Sequence, residues 1–457
     1  MRITYLNLVF KPSKSIVYLL FLATSISYSQ QLTLKEAHSL LLSENGEISA
    51  SNFELKAVNE EHKATKSLYL PKVGASGSYL RLDEDIKVDL NPQRNMIGGL
   101  LQISNPALVL GDWNVTLQEK YLGFATADLD MVLFAGGKIN AVNKASEIKY
   151  QLAETHHHLK EEELTVKLIN YYFKLKLAEE ALKLREEVYQ TVLLHDQKAT
   201  KFFENGIIPE VETLNAKVAL SNAKRELLAA KKDVSLALTA IQNLIGTTNF
   251  KTVSSAFIQP TILEPLAYFQ EDMLSENKQL KTIQQNYKLA KVGVKVENSE
   301  YFPKVALKGK YVLWKDNLPL VDTKWFAGIG VKWELFDGFK REHQIKASKF
   351  KVAQVEQLNK QAKLNLLTYT EKLYNTLQKE LEQYESLTAD QALAEKLRYM
   401  RMRAFEEGTG TSLEVVDATL KLTEIKLYKI KALCQYNITY GELMVQLGKT
   451  ATFLNQI

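Results

Sequence analysis

The sequence predicts a mostly helical chain built from two structural repeats, each a long helix, a stacked pair of short helices and a β-hairpin. Three observations predict it. First, FENGIIPEVETLNA at Phe203–Ala216 returns as FEEGTGTSLEVVDA at Phe405–Ala418, setting Gly206 against Gly408, Glu212 against Glu414 and Ala216 against Ala418, each pair 202 residues apart. The same spacing joins Leu133-Phe134-Ala135-Gly136 to Leu335-Phe336-Asp337-Gly338, and Leu244-Ile245-Gly246 to Gln446-Leu447-Gly448. Blocks repeated at one spacing mark an internal duplication. Second, residues 138–203 and 340–406 contain neither proline nor glycine. Third, short stretches alternate apolar and polar residues with period two, the pattern of a strand.

In chain order, residues 1–29 read as a signal peptide. Basic residues end at Lys14, an apolar run covers Ile16–Thr24, and Ser27 and Ser29 are the small residues before Gln30. The run is short for a transmembrane helix, and no later stretch nears the ~20 apolar residues that one needs. The first repeat is expected over 30–246, a linking strap over 247–263, the second repeat over 264–448 and a tail over 449–457. Leu34, Ala37, Leu40, Leu41, Ile48, Phe53 and Val58 predict a helix over about 32–68 that Pro71 stops. Its counterpart covers about 266–299. Pro71-Lys72-Val73 and Pro303-Lys304-Val305 open the strand regions but lie 232 apart, so the first repeat carries 30 extra residues. Asn91-Pro92 and Asn105-Pro106 place them in the loop of the first hairpin, within a strand region of about 72–134. In the second repeat, strands are expected over about 304–314 and 325–336, with a hairpin tip at Lys315–Pro319.

After Gly136-Gly137 and Gly338 the long helices begin, about 138–203 and 340–406, rods of roughly 100 Å. Leu152, Leu159, Val166 and Phe173 fall seven apart, favouring a left-handed supercoil, and the seam then drifts to Leu168, Leu175, Leu182 and Tyr189. Gly206 and Gly408 turn the chain at the rod ends, and shorter helices return over about 210–245 and 412–447, each roughly 54 Å. Two short helices end to end thus match one long one.

Composition narrows the function. The net charge of +5 includes Arg2, Lys11 and Lys14, leaving the remainder too near neutral to suggest nucleic acid. The single cysteine, Cys434, excludes an internal disulfide and reads as a small buried apolar residue. His156-His157-His158 point in different directions on a helix and read, like Glu161-Glu162-Glu163, as a solvated face. No motif places a catalytic constellation, a cofactor or a metal; the chain is not expected to be an enzyme.

Four strands per chain would leave free edges and an exposed apolar face. In lipid only a closed sheet satisfies its backbone, and closed barrels begin near eight strands, so several chains are expected to pool strands into one outer-membrane barrel. Trp325 and Trp333, on one strand face, would stand roughly 20 Å apart in depth, the spacing of two aromatic girdles. The competing reading is a soluble sheet covered by helices, in an exported periplasmic coiled-coil scaffold or tether without a pore.

With Leu32-Thr-Leu-Lys-Glu-Ala37, the two Pro-Lys-Val blocks, Trp333-Glu-Leu-Phe-Asp-Gly338 and Gly408–Ala418 in order, the chain resembles the TolC-like outer-membrane efflux proteins over essentially its whole mature length. The resemblance implies a homotrimer with a 12-stranded barrel in outer-membrane lipid and an α-helical periplasmic tunnel. It implies a periplasmic adaptor and an inner-membrane pump of resistance-nodulation-division, ABC or major facilitator type as partners. It also implies a gate at the tip, where Glu414 and Asp417 would form an acidic selectivity ring; the plainer reading is that both favour a helix N-terminus. Phe405 and Gly410 depart from the tyrosine and arginine that often latch the family's gate, leaving closure to packing or to Arg403, Glu406 and Glu407.

Overall fold

The computed structural model describes residues 30–317 and 323–457. The expected signal peptide, and Leu318 and Pro319 of the expected hairpin tip, lie outside the described residues. The chain folds as two compact units, one of residues 30–52, 157–278 and 363–457, the other of residues 53–156 and 279–362. Each unit takes chain from both halves of the sequence.

The first unit opens with β1 (Gln30–Leu32) and α1 (Leu34–Glu44). Instead of the single helix expected over 32–68, the chain breaks at Asn45 before α2 (Gly46–Thr65), much of which belongs to the second unit. The break is built by the asparagine. Its Oδ1 accepts the N–H groups of Glu47 and Ile48 at 2.8 and 3.1 Å, capping α2, while its Nδ2 donates to Leu244 O at 2.8 Å. Asn277 interrupts the helix expected over 266–299 in the same way, and its Nδ2 donates to Gln446 O at 3.3 Å.

The core of this unit is aromatic and aliphatic. The long helix α5 (Lys138–Glu204) buries Leu168, Ile169, Tyr172 and Phe173 against Leu34 and Leu41 of α1 and Ile241 and Ile245 of a returning helix (Glu210–Ile245). Each such side chain is worth about 1.5–3 kcal/mol on burial. Beyond the returning helix, Phe250–Val253 pairs in parallel with β1, setting Gln31 opposite Thr252. Tyr172 ties both strands to the core: its hydroxyl donates to Leu32 O at 2.7 Å and accepts the Ser255 N–H at 2.9 Å.

The second unit carries the sheet. From its start, β2 (Lys72–Arg81) leads into β3 (Ile86–Asp89), α3 (Asn91–Leu100), α4 (Pro106–Leu110), β4 (Asn114–Gln118) and β5 (Tyr121–Ala135). The 30 extra residues are therefore not a bare loop. They form a second small hairpin, β3 against β4, tipped by two short helices that the two prolines start. Arg94 is buried there, donating to Gly111 O at 2.6 Å.

Numbering on in chain order, the returning helix is α6 and Phe250–Val253 is β6. They are followed by α7 (Leu266–Glu276), α8 (Lys278–Asn298), β7 (Lys304–Asp316), β8 (Trp325–Lys332), α9 (Lys340–Glu406), α10 (Ser412–Gln446) and α11 (Thr450–Leu454). The main sheet is antiparallel in the order β2-β5-β7-β8, so β2 and β8 are its edges. β8 ends at Lys332, short of the expected 336, and Trp333 lies one residue past it. The cause is Arg341. Its guanidinium takes the carbonyls of Glu334 and Leu335 at 2.9 and 3.0 Å and pairs with Asp337 at 3.2 Å, so this stretch bonds to a side chain rather than to a strand.

Candidate functional site

Two regions stand out: the turns joining the long helices to the returning ones, and the faces of the sheet. Both turns follow from glycine. Gly206 and Gly408 sit at φ of 72° and 75°, left-handed values that other residues rarely adopt. In the second turn the Thr409 N–H reaches Ala404 O at 2.9 Å and the Gly408 N–H reaches Phe405 O at 3.1 Å, the paired bonds of a Schellman motif. The first turn repeats them through Ile207 to Phe202 O and Gly206 to Phe203 O, both at 2.8 Å. Gly410 is needed for space: a Cβ there would lie 3.1 Å from Phe405 N and from Ala404 Cβ.

Side chains then join the turns to each other. Phe405 is fully buried, stacked on Phe202 with centroids 5.6 Å apart and packed with Ala199, Ala216 and Val415. Its ring lies 4.7 Å from that of His195, whose Nε2 is 2.7 Å from the buried Ser412 Oγ. Glu212 of α6 accepts the Ser412 N–H at 2.7 Å, and Lys198 of α5 pairs with Glu406 of α9 at 2.8 Å. Burial pushes the His195 pKa down from the ordinary histidine value.

The two acids expected at a gate behave differently. Glu414 caps its own helix: it accepts the Thr411 N–H at 3.1 Å while Thr411 Oγ1 accepts the Glu414 N–H at 3.3 Å, and Arg401 pairs with it at 2.8 Å. Asp417, one turn on, is exposed and has no hydrogen bond or ion pair among the described residues. Of the side chains suggested for closure, Glu406 bonds Lys198 and Arg403, while Glu407 is exposed.

The sheet has two chemically distinct faces. Residues directly opposite across strands share a face. Val73 pairs Leu129, Met131 pairs Leu307, Leu307 pairs Ile329, and Tyr311 pairs Trp325, giving an apolar face on which Trp325 is 66% and Ile329 67% exposed. Trp333 is exposed too, its Nε1 donating to Tyr301 O at 3.1 Å. The other face carries Ser76 and Thr126 at 3.0 Å, Asp128 with Lys310 at 3.4 Å, and Asp130 with Lys308 at 3.9 Å. No helix among the described residues is long and apolar enough to cross a membrane.

A family model of outer membrane efflux proteins matches residues 37–247 and 270–449, most of the chain. The chain belongs to the outer membrane efflux protein family. Among solved structures, CusC, described with its transmembrane channel formation, matches with a TM-score of 0.75 at 12% identity, covering 91% of each chain. The outer membrane protein VceC from Vibrio cholerae matches at 0.72 and 14% identity, covering 91% of this chain and 96% of that one. The CmeC outer membrane channel from Campylobacter jejuni gives 0.71 and 14%, covering 91% and 86%. At such identities the likeness is one of fold. No curated protein matches the sequence.

In this outer membrane efflux protein, sequence reasoning missed the residues that hold the tip and the helix breaks. His195 and Ser412 lie 217 positions apart, and nothing local marks them as partners. The breaks did carry a signal: Leu42-Ser43-Glu44-Asn45 returns as Leu274-Ser275-Glu276-Asn277, 232 residues on, the spacing of the two Pro-Lys-Val blocks.

Proposed function

We propose that three copies of this chain pool their sheets into a 12-stranded barrel in the outer membrane and bundle their helices into a periplasmic duct. One observation carries the reading: an exposed apolar sheet face backed by a face of hydroxyls, carboxylates and lysines, on a sheet with two open edges. An open edge is a template for another chain, and lipid tolerates only a sheet without edges. Closing β2 of one copy on β8 of the next satisfies both edges, turns the apolar face to lipid and leaves the Asp–Lys face to line water. Trp325 and Trp333 then serve as the two aromatic girdles.

The chain has no chemistry of its own in this role. A periplasmic adaptor and an inner-membrane pump deliver substrate to the helical end, and the tip turns at Gly206, Gly408 and Gly410, packed by Phe405, form the gate. Three copies bring Asp417 and Glu414 around one axis as an acidic ring that favours cations. Asp417 is already free to do so, whereas Glu414 joins the ring only by leaving Arg401.

Single-channel recording on protein purified from outer membranes tests this. Cation-selective steps from a species of three chains are expected, and Glu414→Ala with Asp417→Ala should weaken the selectivity and block by divalent ions. Unchanged selectivity would remove the ring. A protein recovered only in the soluble periplasmic fraction, without conductance, would replace the duct by a scaffold.

A further inference from the structure

We propose that Ser412 is the joint that holds the two tip turns together, and that proton uptake by His195 undoes it. The inference rests on the duct reading only in taking the tip as the controlled end of the channel; the joint itself is read from the side chains.

Ser412 is the first residue of α10 and is fully buried. It is gripped twice from the first turn, its N–H by Glu212 of α6 and its hydroxyl by His195 of α5. His195 is only 4% exposed, and its other nitrogen, Nδ1, is buried with no partner among the described residues. Either neutral tautomer leaves Nδ1 unsatisfied, as a bare lone pair or as an idle N–H. Protonation is worse, since it places a charged donor where no acceptor waits.

The groups facing the ring do not offset this. On its own helix Asp196 favours the proton and Lys198 opposes it, and Glu212 of α6 favours it; the cost of burial exceeds them. Phe405 from α9 offers only an aromatic ring. Glu406 is engaged by Lys198, which holds its carboxyl below the ordinary glutamate range, so it stays charged while histidine titrates. Glu414 of α10 is turned to Arg401 and Thr411.

The sign follows. Within the joint the His195 pKa lies below the ordinary value of about 6.5, and parting the turns restores that value. The parted state therefore binds more protons as pH falls through this window. The joint is at full strength above about pH 6.5 and is lost progressively below it.

Spin labels at Ile207→Cys and Thr409→Cys, both exposed turn positions, report the separation of the turns in the full chain. The native Cys434 is buried, its thiol pushed up to about 12, and escapes labelling. Between about pH 7.5 and pH 5.5 the distance distribution should shift from short to long, by up to about tenfold in population ratio for each unit by which burial lowers the pKa. His195→Gln can still bond Ser412 but cannot titrate, and should remove the shift. An identical distribution at both pH values, or a shift that survives His195→Gln, overturns the joint. The distance needs no pore: an acid shift in a protein that never conducts keeps the joint and ends the duct reading, while a conducting protein with a static tip does the reverse.

Discussion

The two tip turns descend from one motif, yet they use the same glutamate for opposite purposes. Glu212 and Glu414 each stand third in a returning helix, the position from which a side chain folds back onto the N-cap N–H. In the second turn the N-cap is Thr411, and Glu414 closes the capping box with it. In the first turn the N-cap is Pro209, which has no N–H to offer. Glu212 thus has no local donor and reaches across to the N–H of Ser412 in the other turn. The preceding aromatics diverge as well: Phe405 is fully buried under the turns, while Phe203 is 42% exposed. A duplicated motif has become a bolt in one copy and a socket in the other, and the proline made the difference.

The largest expected effect separates the two phenylalanines. Phe405→Ala should lower the local stability of the tip by about 3–5 kcal/mol, the usual cost of emptying a packed aromatic site. Phe203→Ala should stay within about 0.5 kcal/mol, as exposed substitutions do. Hydrogen exchange of amides in residues 199–216 and 402–416 reads both. Equal losses of protection would mean that the turns are equivalent after all.

Next come the glutamates. Glu212→Ala leaves the N–H of the buried Ser412 without its acceptor, at about 1–3 kcal/mol. Glu414→Ala removes a capping group and an exposed pair with Arg401, together about 1 kcal/mol. The same exchange measurement should show Glu212→Ala opening both turns and Glu414→Ala fraying only the start of α10. The reverse order would shift the weight of the tip onto the capping box.

How far the sequence makes this legible depends on how local the cause is. α9 begins and ends where glycines bracket a proline-free run, because backbone freedom is a property of single residues. The alternation of β7 and β8 is equally local, so the apolar face was readable. The shortening of β8 was not, since Arg341 competes for its carbonyls from the following helix. Asn45 and Asn277 were readable in principle, as a repeated tetrapeptide ending in a strong capping residue. The joint of His195 with Ser412 depends on how two helices are rotated against each other. A drifting heptad seam leaves that rotation open, so the buried histidine looked like any polar residue on a long helix.

The smallest expected effect is the sharpest test of the proline argument. Pro209→Thr supplies an N-cap with both a hydroxyl and an N–H, recreating in the first turn the Thr–x–x–Glu box of the second. The cap should stabilise the start of α6 by about 1 kcal/mol. Glu212 would then face two N–H donors, its new local one and that of Ser412, and would divide between them. Protection at the first turn of α6 should rise while protection of the Ser412 amide falls. If the Ser412 amide is unaffected, the reach of Glu212 is set by the packing of α6 on α10 and not by the missing N–H of Pro209. If it falls as expected, one substitution has turned the socket partway back into the motif from which both turns descend.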